Sequence, residues 1–374
     1  MSGTYDAIIL GAGIVGTACA MECAHSGMRV AIVEPDVIGG GATAAGMGHI
    51  VVMDDSPAQL ALTRYSQQLW QELSPKLSPE VEYETTGTIW VAADEFEMEE
   101  VYRKQARYAA SGIPTQVLDQ GALNQAEPNL RPDLAGGLLV PGDAVLYPPC
   151  AAGYLLEEAA RAGAVVLQSA AINVGDGRVK LSNGTTLESF RIVNATGTAA
   201  PDLTMGLAMR KRKGHLVITD RAPGFVRHQL VELGYLRSAG SSTGDSVAFN
   251  VQPRKTGQLL IGSSRQYDNE AKQVDQPILS RMLLRAQEYL PGIVALSVIR
   301  TWTGFRAATP DKLPLIGPSE SDPTVFLATG HEGLGITTSL ATAKLLLDHF
   351  IGRGSAIPLN PYLPSRAMLE PQHG

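Results

Sequence analysis

A glycine-rich turn near the start of the chain has the spacing of a phosphate-binding loop. The residues Gly11-Ala12-Gly13-Ile14-Val15-Gly16 follow a short apolar run and open a helical stretch, and Glu34 follows at the required distance of roughly 20 residues. The first glycine allows a sharp bend, the second lets the backbone approach a pyrophosphate, and the third lets the helix pack on the strand. The helix N-terminus adds unpaired N–H groups and about half a positive charge. The pattern predicts a dinucleotide site.

The carboxylate of Glu34 narrows the choice of dinucleotide. At the end of the second predicted strand it can accept hydrogen bonds from both ribose hydroxyls, and its charge repels a 2′-phosphate. NADP is therefore disfavoured. A glycine-rich turn that binds no ligand is the alternative interpretation.

A second glycine-rich segment, residues 39–49, directly follows the second predicted strand and contains five glycines among small residues. Such backbone can run close to a planar ligand, as an extended FAD would require along its pyrophosphate and isoalloxazine. Simple nicotinamide dehydrogenases have no need of it. The residues assigned to the cofactor here are Ala42, Thr43, Ala44, Ala45, Gly46, Met47, Gly48 and His49. A mobile surface linker is the alternative.

These segments need a sheet to position them. Residues 6–10 and 29–33 are apolar runs on either side of a helical stretch, which predicts strand, helix and strand. Residues 191–194 are expected to form the last parallel strand before residues 195–197, and alternating patterns over 216–219, 229–233, 247–251 and 259–262 predict a further sheet. Alternation places Asn250 and Gln252 on one face. That face could hold a substrate, although a solvated outer face is the commoner explanation.

Five segments in the right order resemble the D-amino acid oxidase superfamily of flavoproteins. They are residues 5–34, the loop 40–49, Ile192-Val193-Asn194-Ala195-Thr196-Gly197, Trp302-Thr303-Gly304-Phe305-Arg306, and Ala328-Thr329-Gly330-His331-Glu332-Gly333-Leu334-Gly335-Ile336. Glycine oxidase, sarcosine oxidase and D-amino acid dehydrogenase are members. Within the family, the first loop and the last segment look most similar to bacterial D-hydroxyproline dehydrogenase flavoprotein subunits.

The resemblance implies an α/β fold in which a Rossmann-like FAD-binding domain of the glutathione-reductase-like kind joins a substrate domain with a mixed or antiparallel sheet. The length of 374 residues also suits two domains. Because chain crossings separate such domains in this family, we expect discontinuous units. Residues 1–80, 145–210 and 300–374 are assigned to the FAD-binding domain, and residues 81–144 and 211–299 to the substrate domain.

The resemblance also assigns a substrate-binding cation. Arg306 occupies the position at which family members place the arginine that binds the substrate carboxylate, and a guanidinium suits this task because it binds bidentately and stays charged. Pairing with the nearby Asp311 is the alternative. His331 is a second catalytic candidate and Asn250 a third. His331 and His49 could transfer protons, but contact of their backbones with the cofactor explains the two glycine-rich segments that contain them with fewer assumptions.

Further cofactor contacts follow from the resemblance. The segment that begins at Gly330 opens a helix whose dipole would place positive charge near the flavin N1 and O2. The backbone around Ile172 is expected at the adenine. The remaining residues assigned to the cofactor are Thr196, Gly197, Gly304, Gly330, His331, Glu332, Gly333, Leu334, Gly335, Ile336 and Thr337.

The expected reaction is oxidation of the Cα–N bond of a small amino or imino acid, such as D-hydroxyproline, by hydride transfer to flavin N5. Residues 307–310 contain no cysteine where sarcosine oxidases attach flavin, so the FAD is expected to be noncovalent. Residues 258–260 contain no lysine of the kind that promotes reaction with oxygen, which favours a partner subunit or quinone as acceptor. A glycine or sarcosine oxidase that uses oxygen, and a non-catalytic electron-relay subunit, are the alternatives.

Composition excludes other classes. The net charge is −7 with no run of five like charges, so nucleic acid is not an expected partner. The three cysteines form no C-x-x-C pair, which argues against secretion on disulfides and against a metal site. No apolar stretch reads as a membrane span, because the candidates contain glycines or charges. A cytoplasmic location is expected, and peripheral attachment to the inner membrane is left open.

Overall fold

The computed structural model describes residues 4–234, 244–267 and 269–366, whose elements are numbered here in chain order. The strands are β1 (Ala7–Leu10), β2 (Val30–Glu34), β3 (His49–Ile50), β4 (Thr88–Ala92), β5 (Gln116–Asp119), β6 (Gly136–Val140), β7 (Ala144–Val145), β8 (Val165–Gln168), β9 (Ala171–Gly175), β10 (Arg178–Leu181), β11 (Thr186–Glu188), β12 (Ile192–Asn194), β13 (Arg210–Arg221), β14 (Gln229–Glu232), β15 (Ser246–Pro253), β16 (Gln258–Arg265), β17 (Val298–Ala308), β18 (Leu315–Pro318) and β19 (Val325–Thr329). The helices are α1 (Ile14–His25), α2 (Pro57–Leu73), α3 (Glu95–Ala110), α4 (Gln120–Ala126), α5 (Pro148–Arg161), α6 (Ala200–Leu203), α7 (Gln276–Tyr289) and α8 (Gly335–Phe350).

The N-terminal strands form the centre of a six-stranded sheet in the order β18-β19-β12-β1-β2-β8, parallel except for β18. The sequences of β1 and β2 are short apolar runs buried on both faces, as parallel strands between helices require. Helix α1 packs against α5 and α8. The predicted strand, turn and helix are therefore confirmed.

The strand expected at residues 191–194 forms as β12, residues 192–194, and directly precedes residues 195–197. A further parallel strand was not predicted: β19 pairs with β12 in parallel further along the chain. The five residues of β19 are all buried. A buried apolar run does not reveal its strand direction without its neighbours, which is why the sequence left it unassigned.

The second sheet has eight strands in the order β17-β13-β16-β15-β14-β4-β6-β5. All neighbours pair antiparallel except β14 and β4, which run parallel. Its two faces have different neighbours. Val217 and Ile261 pack with Met282 of α7, whereas Leu216 and Leu260 pack with Met47 of the glycine-rich loop. The sheet therefore turns one face toward the predicted cofactor segments.

The two sheets draw on alternating parts of the chain. Strands of the first come from residues 7–34, 165–168, 192–194 and 315–329, and strands of the second from 88–140 and 210–308. The division into an FAD-binding and a substrate domain stays a proposal. Its boundary at residue 300 falls inside β17, which pairs within the second sheet. In the described part of the chain, no helix is long and apolar enough to cross a membrane.

Candidate cofactor and substrate site

The turn between β1 and α1 needs its first and third glycines for steric reasons. Gly11 has φ +94°, and a Cβ there would lie 2.8 Å from the Ala195 carbonyl oxygen. A Cβ on Gly16 would lie 1.9 Å from the Gly11 carbonyl oxygen. At Gly13 the nearest atom to a Cβ is Thr43 Oγ1, at 3.3 Å. Packing thus requires the outer two glycines, while the middle one leaves bare backbone at the helix N-terminus.

Glu34 lies at the end of β2, beside this turn. Its Oε2 accepts a hydrogen bond from the Ala12 N–H at 2.8 Å, and its Oε1 accepts one from the Asp36 N–H at 3.0 Å. The carboxylate is therefore fixed next to the glycine-rich turn, where the fingerprint requires the acid that binds ribose.

The loop of residues 42–48 is held on three sides. Thr43 Oγ1 accepts a hydrogen bond from the Ile14 N–H at 3.0 Å, which ties the loop to the start of α1. A Cβ on Gly46 would lie 2.6 Å from Ile336 Cδ1, and a Cβ on Gly304 would lie 2.2 Å from Ala45 Cβ. The loop thus packs between the N-termini of helices α1 and α8 on one side and the second sheet on the other. Ala42 and Ala44 are exposed, whereas Met47 and Gly48 are buried. This packing argues against a mobile linker.

The C-terminal segment brings a second helix N-terminus to the same place. Gly330 has φ +78°, and α8 begins at Gly335 after an N-cap residue, Leu334, that makes no side-chain capping bond. Thr337 Oγ1 donates to the His49 carbonyl oxygen at 2.8 Å. The start of α8 is therefore joined to the glycine-rich loop, and its partial positive charge lies at the predicted flavin position.

A cleft opens where these segments meet the second sheet. The enclosed space that a water-sized molecule can reach measures about 120 Å³, and the cleft is open to solvent on one side. The central strands of the sheet contribute a neutral wall, which consists of Thr88, Trp90, Gln229, Val231 and Asn250. The segments 49–55 and 331–334 contribute the remaining backbone and side chains around it.

Charged residues also line the cleft: the cations Arg212, Arg265 and Lys312 and the anions Asp55 and Glu332. The Arg212 guanidinium is paired with the Glu332 carboxylate. Sequence reasoning missed these three cations. A signal for Arg212 was available in the basic run of residues 210–213, since a strand that buries such a run must hold partners or a ligand for its charges.

Arg306 lies at the edge of this region and not among the residues that line the cleft. Its Nη1 donates to the Ser264 carbonyl oxygen at 3.1 Å, and its guanidinium covers Gly214, where a Cβ would lie 2.6 Å from both terminal nitrogens. Gly333, which does line the cleft, is its neighbour. Asp311 pairs instead with Arg366, at 2.6 Å, which disfavours the alternative of a structural partner for Arg306 at Asp311.

Both predicted histidines line the cleft in the neutral form. Burial lowers the pKa of His49 to about 4 and that of His331 to about 3. His331 Nε2 forms a hydrogen bond with Thr342 Oγ1 at 3.0 Å. At neutral pH each ring therefore contributes hydrogen bonding and not a positive charge.

The shared face of Asn250 and Gln252 points inward, so the commoner explanation, a solvated outer face, is wrong for this strand. Asn250 is 7% exposed and lines the cleft, and Gln252 is 1% exposed. Gln252 Nε2 donates to the Met47 carbonyl oxygen at 2.8 Å. The reason is that the sheet lies over the glycine-rich loop, so its polar residues face the predicted cofactor site instead of solvent.

The remaining predicted cofactor residues are more dispersed. Thr196 bonds to Asn194 Oδ1 through its hydroxyl at 2.7 Å, and Gly197, with φ +61°, accepts a hydrogen bond from Thr329 Oγ1 at 3.0 Å. These lie after β12, at the same edge of the sheet as the glycine-rich turn. Ile172 lies on β9 in a separate three-stranded sheet and is 53% exposed. The contact expected for its backbone is with the adenine and not with the cleft, and it stays a prediction.

Asp143 is a buried carboxyl behind the cleft that sequence reasoning did not find. It accepts hydrogen bonds from the Val52 N–H at 3.2 Å and from Gln67 Nε2 at 2.8 Å. Burial raises its pKa to about 7, although hydrogen bonds from Thr88, Val52 and Gln67 oppose this. It thus joins the segment after β3 to α2 and to the cleft wall.

The arrangement fits an extended FAD. Two helix N-termini, a carboxylate at a strand end and a closely packed glycine-rich loop follow one another from the turn of residues 11–16 to the cleft. Two buried polar atoms at its inner end, His49 Nε2 and Gln252 Oε1, make no hydrogen bond of normal geometry among the described residues, although the Gln252 side chain lies close enough to oppose the lowering of the His49 pKa. A polar, planar group in this position would supply partners for them.

Comparisons with known proteins agree with this geometry. A family model described as "DAO: FAD dependent oxidoreductase" matches residues 6–349. Glycine oxidase from Geobacillus kaustophilus is 28% identical over 98% of this chain and 98% of its own, and hydrogen cyanide synthase subunit HcnC from Pseudomonas aeruginosa is 26% identical over 99% and 98%. The crystal structure of the Geobacillus enzyme superposes with a TM-score of 0.87 over 98% of this chain and 99% of that one, at 26% identity. L-proline dehydrogenase from P. horikoshii shares the fold, with a TM-score of 0.88 at 21% identity over 98% of both chains.

Proposed function

Because the chain belongs to the DAO family of FAD-dependent oxidoreductases, we propose that it oxidises the Cα–N bond of a small amino or imino acid to the imine. The family match confirms FAD as the cofactor and the oxidoreductase class that the sequence predicted. The observation that supports this substrate class best is the cleft at the inner end of the cofactor segments, which combines cations with a neutral polar wall.

The acid end of the substrate needs a cation, and this part of the site is rich in them. We assign the carboxylate to Arg306, which occupies the family position and lies beside the cleft residue Gly333. Its guanidinium contacts the sheet through Gly214 and Ser264, so its plane is fixed by backbone. A fixed planar donor can orient the substrate, which places Cα for reaction.

When bound, FAD supplies at N5 the acceptor for the hydride that leaves Cα. The residues proposed to hold it are the turn 11–16, Glu34, the loop 42–49 and the segment 330–337. The N-terminus of α8 stabilises negative charge there without a titrating side chain. The neutral His49 and His331 add no competing cation. No side chain is assigned to removal of a proton from the substrate. A substrate amine that binds in its neutral form needs no general base.

The finer assignment is a cyclic secondary amine of the D-hydroxyproline kind, with FAD bound noncovalently. Support for the substrate comes from the pairing of the loop 44–49 with the segment 330–336 described above. Support for a noncovalent cofactor comes from two of the three cysteines: Cys19 and Cys23 are buried in α1, and burial raises the pKa of both thiols, while the half-buried Cys150 does not line the cleft. Neither thiol is therefore suited to attack a flavin.

One observation favours the alternative of an oxidase. Lys312 lines the cleft, and a lysine near the flavin is the group that promotes reaction with oxygen in sarcosine oxidases. Residues 258–260, where the family resemblance places that lysine, contain none, and Lys312 comes from a different segment. The electron-relay alternative is favoured by the similarity to HcnC, which is named as a subunit. A partner subunit or a quinone is the proposed acceptor if oxygen is not used.

Anaerobic mixing separates these candidates. The holoenzyme is mixed without oxygen with both hydroxyproline epimers, both prolines, glycine and sarcosine, and the loss of visible flavin absorbance is followed. Rapid reduction by a cyclic secondary amine supports the proposal. Rapid reduction by glycine or sarcosine, with stoichiometric hydrogen peroxide in air, would identify the oxidase instead. A flavin that none of the amino acids reduces would contradict the enzymatic proposal and leave the relay function.

A further inference from the structure

Three neighbouring strands place a row of side chains on the neutral wall of the cleft. Trp90 of β4 lies opposite Val231 of β14, and Val231 lies opposite Asn250 of β15. All three line the cleft, and Trp90 and Asn250 are 3% and 7% exposed. Adjacent strands are about 4.8 Å apart, so the Trp90 and Asn250 backbones are separated by roughly 10 Å. Both side chains stand on the same face of the sheet, with Val231 between them.

Each end of the row carries a buried polar atom without a hydrogen-bond partner among the described residues: Trp90 Nε1 at one end and Asn250 Oδ1 at the other. The indole N–H can only donate a hydrogen bond, and the carboxamide oxygen can only accept one. Buried polar groups in native proteins are normally paired, and an unpaired pair in a cleft therefore points to a ligand.

The chemistry of the two atoms restricts the group that satisfies them. A carboxylate only accepts hydrogen bonds and an ammonium only donates them, so each would pair one atom and oppose the other. A methylene pairs neither. A hydroxyl accepts from the indole N–H and donates to the carboxamide oxygen at the same time. A neutral amine could do the same, but the substrate amine reacts at the flavin, so the group at the far end of the substrate is a hydroxyl. Val231, between the two, offers an apolar surface for the carbon that carries the hydroxyl.

Two cations of the cleft, Arg212 and Arg265, lie on one side of this row. Across the sheet the strand order is β13, β16, β15, β14, β4. Arg212 and Arg265 belong to β13 and β16, whereas Asn250, Val231 and Trp90 belong to the next three strands. A substrate whose carboxylate lies toward the cationic strands would therefore direct its far end to the neutral row.

We infer that Trp90 and Asn250 form a subsite for a hydroxyl group on the ring or side chain of the substrate. The inference rests on the proposed oxidation of an amino or imino acid and adds the residues that select a hydroxylated one. It makes these two residues specificity determinants, because a site built to hydrogen-bond a hydroxyl rejects the analogue that lacks it.

The test compares substrates that differ only in the hydroxyl. For the holoenzyme, kcat/KM is measured for hydroxyproline and for proline of the same handedness at Cα, and for serine and alanine as an open-chain pair. We expect the wild-type enzyme to favour the hydroxylated member of its better pair by about a hundredfold or more. Trp90→Phe and Asn250→Leu should each lower this ratio at least roughly tenfold, mainly through the hydroxylated substrate.

Trp302→Phe is the matched control. Trp302 Nε1 is also buried without a partner among the described residues, but Trp302 does not line the cleft. Removal of its N–H should leave the ratio unchanged, whatever its effect on overall rate. Flavin content per chain verifies that each variant is folded. Because Trp90→Phe and Asn250→Leu are independent, the test can still be made if one of them does not fold.

Four outcomes would overturn the inference, the third of them in the same assay with asparagine and glutamine added as substrates. Equal kcat/KM for the members of both pairs would remove the hydroxyl subsite while leaving amino acid oxidation intact. A preserved ratio in both cleft variants would assign the selectivity elsewhere, and a stronger preference for asparagine or glutamine would assign the row to a carboxamide. Absence of flavin reduction by every amino acid would reject the proposed function itself, and the subsite with it.

Discussion

Replacement of Gly304 by alanine should weaken FAD binding through a steric conflict that the structure locates. The new methyl carbon would lie 2.2 Å from Ala45 Cβ, well inside ordinary contact distance. Both carbons are attached directly to backbone, so no rotamer change relieves the overlap and the loop 42–48 must move. Overpacking of this kind costs about 1–3 kcal/mol. Because the loop is proposed to contact the cofactor, that cost falls on the bound state and corresponds to an increase of roughly 5- to 150-fold in the Kd for FAD.

Equilibrium dialysis against a series of FAD concentrations measures this directly, with visible flavin absorbance per chain as the readout. Gly41→Ala is the matched control, since Gly41 belongs to the same glycine-rich segment and a Cβ there has no atom within 4 Å. Its Kd should stay within about twofold of wild type. If Gly304→Ala retains FAD as tightly as Gly41→Ala, the loop is not clamped by β17 in the bound enzyme, and the reasoning from its packing is refuted.

Three other variants test separate parts of the site. Arg306→Ala should lower kcat/KM about a hundredfold, or roughly 3 kcal/mol, because it removes the proposed carboxylate partner; a loss below tenfold in flavin-replete enzyme would contradict that role. Asp143→Asn should stabilise the protein more at pH 8 than at pH 5. Burial raises the pKa of Asp143 from 3.8 to about 7, so the folded state loses stability as pH rises through that window, by up to about 4 kcal/mol. A difference in denaturant midpoint between Asp143→Asn and wild type that is the same at pH 5 and pH 8 would exclude the raised pKa of Asp143. Because the pKa of His331 is lowered to about 3, His331→Asn should not change the way kcat/KM depends on pH between pH 5 and 8. Loss of a rise or fall of kcat/KM in that range would show that His331 titrates there.

Much of the cofactor region could be predicted from the sequence because its signals are local. The turn 11–16 and Glu34 depend on glycine geometry and on spacing along one strand-helix-strand unit, and both lie where that spacing implies. The inward face of Asn250 was harder to predict, because alternation groups residues on a face without stating what covers it. The loop that covers this face comes from residues 42–48, some 200 positions earlier in the chain.

The residues missed by sequence reasoning share a different property. Arg212, Arg265 and Lys312 approach the cleft from three separate segments. Arg265 and Lys312 are unremarkable within theirs, and the basic run 210–213 that contains Arg212 does not say which of its side chains is buried at a cleft. Asp143 is significant only because its neighbours, Val52 and Gln67, come from elsewhere in the chain and exclude water from it. Long-range juxtaposition and desolvation leave no periodic trace in a single sequence, so these features required coordinates.

The interleaved origin of the two sheets has a consequence for biosynthesis. As the polypeptide leaves the ribosome, β1 and β2 emerge early, but β12, the other partner of β1, follows only after residue 190, and β19 and α8 emerge near the end. The second sheet likewise waits for β13 to β17 before β4 and β6 are enclosed. Neither half of the chain contains all strands of the six-stranded or of the eight-stranded sheet, so flavin capture must be a late and largely post-translational event. Polypeptides that terminate before residue 335 should therefore be recovered without the yellow cofactor.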